Sequence, residues 1–180
     1  MATALGAVAA ASLAWMGHGA ASEGPFAEVH LASDMLHALA AAVWIGALVC
    51  FLLLLLVEAE GPGQLRALHI SLRRFAGIGS AAVAALILTG LVNGWALVGP
   101  DEVYGLWSSP YGRLLIAKLM LFVAMLALAA FNRFRFTPAL ERAPGRTIGA
   151  LRRSVATEAA AGLAILGLAA WLGTLAPPGG

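Results

Sequence analysis

Long apolar runs, not alternation, dominate the chain. Continuous hydrophobic stretches fall at about 2–17, 31–57, 75–98, 113–131 and 155–176, each near or above the roughly 20 residues that cross a 30 Å hydrocarbon layer at 1.5 Å per residue. Unbroken runs predict α-helices, because a membrane strand would alternate apolar and polar positions. The expected fold is therefore all-α, a polytopic bundle of about five transmembrane helices forming one domain over 1–180. The first run, "MATALGAVAAASLAWMG", is short and alanine-rich, but it lacks the Lys or Arg of a signal-peptide leader and is expected to be retained.

Composition agrees: 61% of residues are hydrophobic and 11% charged, which excludes an ordinary water-soluble domain. A net charge of +2 gives no footprint for nucleic acid. The single cysteine, Cys50, excludes an intrachain disulfide and stands in mid-span, where a thiol is a small buried hydrophobe or, less commonly, a relay for Cu(I). The distribution of charge carries more than its sum. Arg66, Arg73 and Arg74 follow the second run, and Arg133, Arg135, Arg142, Arg146, Arg152 and Arg153 lie between the fourth and fifth. The other two connections, holding Glu23, Glu28, Asp101 and Glu102, contain no Lys or Arg. The positive-inside rule then puts the arginine-rich linkers in the cytoplasm, the N-terminus in and the C-terminus out.

Within that topology the second run opens with His30, Asp34 and His37, spaced by four and three residues and so on one helix face. "WMGHG" places Met16 and His18 at the same extracytoplasmic end of the first run, and Met35 sits beside Asp34. Imidazole and thioether are donors that copper accepts, whereas carboxylate alone would suit harder ions. His18 and His37 are the principal candidate ligands, with Met16, His30 and Met35 supplementary and Asp34 orienting an imidazole. Each has a plainer reading: His30 as an interfacial anchor, Asp34 as a helix cap, the methionines as packing. Ligation needs neutral imidazole, so acidification should release the metal.

Other polar residues lie deeper. Lys118 stands several residues inside the fourth run, at a depth from which its ammonium can snorkel outward. Thr89 and Asn93 occupy the outer half of the third run. Glu158, just inside the fifth, either pairs with Arg152 or Arg153 or marks the far end of a path that begins at the histidines. No nucleophile–base pair, phosphate-binding glycine loop or CxxC is present, which points away from an enzyme.

The ordered set "LHALAAAVWIGAL", "RRFAGIG", "TGLVNG", "YGRLLIAKLML", "FNRF" and "LRRSVATEAAAGLAILGLAAWLGTLAP" resembles the membrane domain of the copper resistance protein D family from His18 onward. That resemblance implies copper transport or delivery at the bacterial inner membrane, beside a periplasmic copper-binding partner or other membrane subunits. His18, His37, Trp44, Lys118 and Glu158 look family-typical. Longer members carry further spans before the "GH" element. A histidine opening one helix and a "LLIAK" lysine in another is also similar to small four-helix membrane proteins of the HemJ type, which bind haem b, and His18 or His37 could serve as its axial ligand. A third alternative is an accessory subunit docking through the small residues Gly77, Gly79, Ser80 and Ala84.

Overall fold

A computed structural model of the chain describes residues 27–56, 62–99 and 101–176. The expected first span, with Met16 and His18, lies outside them. The described residues form helices joined by short turns, without strands. α1 is Ala27–Leu56, α2 Pro62–Val98, α3 Pro110–Phe131, α4 Thr137–Arg142 and α5 Pro144–Leu172; a short 3-10 turn covers Val103–Gly105 and a π-helical segment Asn132–Phe136 joins α3 to α4. Four helical stretches, Ala27–Leu56, Arg66–Val98, Pro110–Arg142 and Pro144–Leu172, are long and apolar enough to cross a membrane.

The helices outrun the apolar stretches that announce them. Arg66, Arg73 and Arg74 were expected in a linker; they ride on the first turns of α2, and Arg142 and Arg146 similarly fall on α4 and α5. Hydropathy marks the thickness of hydrocarbon, whereas the helix continues wherever backbone bonds can still be made, with the arginine stems lying along it and their heads reaching water. At 37 residues, α2 is about 55 Å long, well beyond one hydrocarbon layer, so its polar turn region must tilt or project into the headgroups.

Local chemistry sets the ends. Gly99, in the left-handed region at φ 70°, closes α2 with its N–H on Trp95 O at 3.1 Å, a conformation glycine adopts without strain. Ser109 precedes Pro110 at the start of α3, and its Oγ accepts from the Gly112 N–H at 3.0 Å, an N-cap with proline in the first turn. Gly112 is required there because a Cβ would collide with the backbone of Leu106.

The described chain divides into two compact units, each drawing on α1, α2, α3 and α5: one holds 27–43, 81–117 and 168–176, the other 44–80 and 118–167. The first unit packs Val98, Tyr111 and Leu172 against Leu106, Leu114, Leu115 and Leu175. Trp95, Tyr104, Trp107 and Trp171 of this unit are exposed, as amphipathic rings at a membrane–water interface are. The second unit is centred on Leu151, which is fully buried, with Leu48, Met125 and Val155. There Phe75 meets Trp44 and Phe51 edge-on at centroid distances of 6.3 and 5.4 Å. Gly162 leaves room for Ile45, whose Cδ1 a Cβ would strike. Close approach over a small residue is how helices associate in lipid, where apolar burial alone gives little preference.

Candidate functional site

Each unit contains a polar cluster. In the first, α1 presents His30, Ser33, Asp34 and His37, and α2 answers with Thr89 and Asn93. Ser33 Oγ donates to the Thr89 carbonyl at 3.2 Å. Asn93 Nδ2 donates to Asp34 Oδ1 at 2.5 Å, and Asp34 Oδ2 lies 3.9 Å from His30 Nε2 one helical turn back. The buried Tyr111 of α3 is in electrostatic range of the same carboxylate.

His37 is the most closely specified of these groups. Its Nδ1 stands 2.8 Å from Thr89 Oγ1, while that hydroxyl donates its single hydrogen to the Ala85 carbonyl at 2.6 Å. The hydroxyl oxygen must therefore accept from the ring, which assigns the proton to Nδ1 and the lone pair to Nε2. Gly90 lies under the ring, its Cβ position 3.9 Å from His37 Cε1. The motif "TGLVNG" thus has a physical content: Thr89 fixes the His37 tautomer and Asn93 holds Asp34.

The face-sharing expected of His30, Asp34 and His37 is present, since Asp34 and His37 both turn to α2 and His30 pairs with Asp34. Two plainer readings are overturned. His30 is 2% exposed and so is not an interfacial anchor. Asp34 stands two turns inside α1 and bonds to Asn93, so it does not cap a helix start. Met35 is half-buried. Met16 and His18 are beyond the described residues, and among the described residues no three His, Cys, Asp or Glu side chains are arranged to hold a metal ion. Cys50, read from sequence as buried in mid-span, is exposed on α1.

The second cluster centres on Glu158, 2% exposed on α5. Asn132 Nδ2 donates to its Oε2 at 2.8 Å. The Trp44 indole lies close enough to interact with the carboxyl, although its N–H makes no hydrogen bond of good geometry. Pairing of Glu158 with Arg152 or Arg153 is not what occurs: both arginines are exposed, while the glutamate points into the bundle. The π-helical segment accounts for Asn132. The Thr137 N–H and hydroxyl both return to the Asn132 carbonyl, the hydroxyl at 3.0 Å, and the wider turn puts Asn132 on the buried side. Its neighbour Arg133 reaches α2, donating to Ser80 Oγ at 2.6 Å and to the Ala76 carbonyl at 3.3 Å. Ser80, a candidate for docking other helices, is thereby engaged within the chain. Lys118 is half-buried on α3.

Sequence reasoning did not single out Asn132, Ser33 or Tyr111 as site residues. "FNRF" held the signal for Asn132, a lone amide at the end of an apolar run. Ser33 and Tyr111 carried none beyond their neighbours.

Comparison with known proteins gives a consistent result. Residues 69–172 match the family model described as copper resistance protein D. The chain is 43% identical to copper resistance protein D of Pseudomonas syringae pv. tomato, over 98% of this chain and 59% of that protein. It is 32% identical to the copper transport protein CutJ of Bacillus subtilis, over 92% of this chain and 28% of that protein. Identity to the inner membrane protein YebZ of Escherichia coli is 28%, over 92% of this chain and 55% of its length. The chain thus spans little more than half, or less, of these relatives. No solved structure matches it.

Proposed function

The chain belongs to the copper resistance protein D family, and on that premise we propose that it captures copper ions at the extracytoplasmic face and passes them across or along the membrane. It is a multi-pass protein of the inner membrane. In the proposed topology the arginine-rich ends of the helices are cytoplasmic, which turns the His30–His37 cluster outward.

The observation that carries the reading is the Thr89-held ring of His37. A ligating histidine characteristically donates its other N–H to a fixed acceptor, which sets ring orientation and raises the basicity of the ligating nitrogen. His37 has that arrangement, with the lone pair on Nε2. His18 would supply the second imidazole, and Met16, His30 and Met35 remain supplementary donors for Cu(I) or Cu(II). Asp34, held by Asn93, would tune the charge beside His30. Glu158 supports the pathway rather than the capture site, whereas Lys118, snorkelling outward, supports capture. Two of the relatives are named for copper resistance and copper transport, and a periplasmic copper-binding protein or further membrane subunits would complete a route that this chain covers only in part.

Metal analysis and an absorption spectrum of the purified protein test the assignment in one sample. Bound copper without a Soret band is expected. Haem b bound in stoichiometric amount, lost on changing His18 or His37, would replace copper with a haem function. Neither metal nor haem would leave an accessory helical subunit.

A further inference from the structure

Outside both polar clusters, the second unit holds an open cavity of about 620 Å³ lined by Arg66, His69, Arg73 and Arg74 of α2 and by Leu140 and Glu141 of α4. We propose that this cavity is a binding site for a phosphate group, and that its ordinary source is the headgroup of an anionic phospholipid.

Position, charge and shape support this. The cavity lies where three spans end: Arg66 begins one, Glu141 adjoins the end of the next at Arg142, and Pro144, also in the lining, begins the last. That is the level of lipid headgroups whichever way the chain is oriented. Residues 66, 69, 70 and 73 share one face of α2 by their three- and four-residue spacing, so the basic groups converge. The lining contains a single carboxylate, Glu141, and it is already held by His69, Nδ1 to Oε1 at 3.1 Å. Among the described residues none of the three arginines is in an ion pair. Three guanidiniums therefore face one cavity with their charge uncompensated inside it, and guanidinium matches phosphate oxygens two at a time. Ile70 and Leu140 add apolar wall, which suits the glycerol and first methylenes of a lipid and offers nothing to a free anion.

The experiment is a thermal-melt titration of the whole protein in uncharged detergent with phosphatidylglycerol, phosphatidylcholine or sodium phosphate. Phosphatidylglycerol is expected to raise the melting temperature saturably, and phosphatidylcholine to have little effect. Replacing Arg66, Arg73 and Arg74 by Gln, singly and together, should raise the half-saturating concentration about fivefold per arginine. An Arg152→Gln/Arg153→Gln variant removes two charges from positions outside the cavity and should bind as the wild type does, in contrast to an Arg73→Gln/Arg74→Gln variant of equal charge. If sodium phosphate reproduces the whole shift, with the same arginine dependence, the phosphate site stands and its source is the free anion. Equal losses in the Arg152/Arg153 variant, or no difference between the two lipids together with no response to phosphate, overturn the proposal.

Discussion

The two polar clusters both draw on α1, the first with α2 and α3 and the second with α5 and the π-helical segment, and they differ in what their groups can do. In the first, one imidazole and one carboxylate, His37 and Asp34, are each positioned by a neutral partner on α2, a second imidazole, His30, lies beside the carboxylate on α1, and the tautomer of His37 is set by a hydroxyl that has no other hydrogen to give. In the second, one carboxyl, one amide and one indole meet in a buried setting with no imidazole among them. In both clusters the carboxylate within the span accepts a hydrogen bond from an asparagine amide. Only the first contains imidazole, the donor type that the proposed copper site requires. Copper affinity should therefore respond to the first cluster, and bundle stability chiefly to the second.

Thr89→Val gives the sharpest separation. Valine keeps the shape but removes the acceptor of the His37 N–H, and loss of such an orienting partner typically lowers metal affinity about 10- to 100-fold. Thr89→Ser should restore most of it. Titration of copper into the two purified variants decides this; unchanged affinity in the valine variant would mean His37 is not a ligand. Next in size is Glu158→Ala, which strands the Asn132 amide in the bundle and should lower stability by about 1–3 kcal/mol with copper affinity held within a factor of two. Glu158→Gln retains a hydrogen-bonding side chain and should lose less than Glu158→Ala, read by thermal melts in detergent. A collapse of copper affinity in Glu158→Gln with normal melting would erase the contrast between the clusters. Gly112→Ala should also destabilise, by about 1–3 kcal/mol, because its Cβ meets backbone that cannot rotate away. Lys118→Met keeps the apolar stem and should lower stability by about 1 kcal/mol or less while weakening copper binding. A large stability loss with intact binding would make Lys118 structural.

Four of the spans and the shared face of His30, Asp34 and His37 were legible in the sequence, since both follow from helical periodicity and the length of apolar runs. The helix ends were not, because arginine-bearing turns extend a helix without adding hydropathy. Thr89 and Asn93 stood out as polar residues in an apolar run, but their pairing with His37 and Asp34 depends on the rotation of α2 against α1, which one sequence does not report. Glu158 was visible and its partner was misread. The i→i−5 turn that brings Asn132 to it, 26 residues back, has no local signature, and Arg152 and Arg153 were nearer in the chain.

Copper stoichiometry and affinity in a His18→Ala/His37→Ala variant, measured beside the wild type on purified, monodisperse protein, decide whether these two histidines hold the metal. The wild type should bind copper and the double variant should not, with both inserted in the membrane and melting alike. Wild-type affinity and stoichiometry in the double variant would place the copper site elsewhere and contradict that assignment.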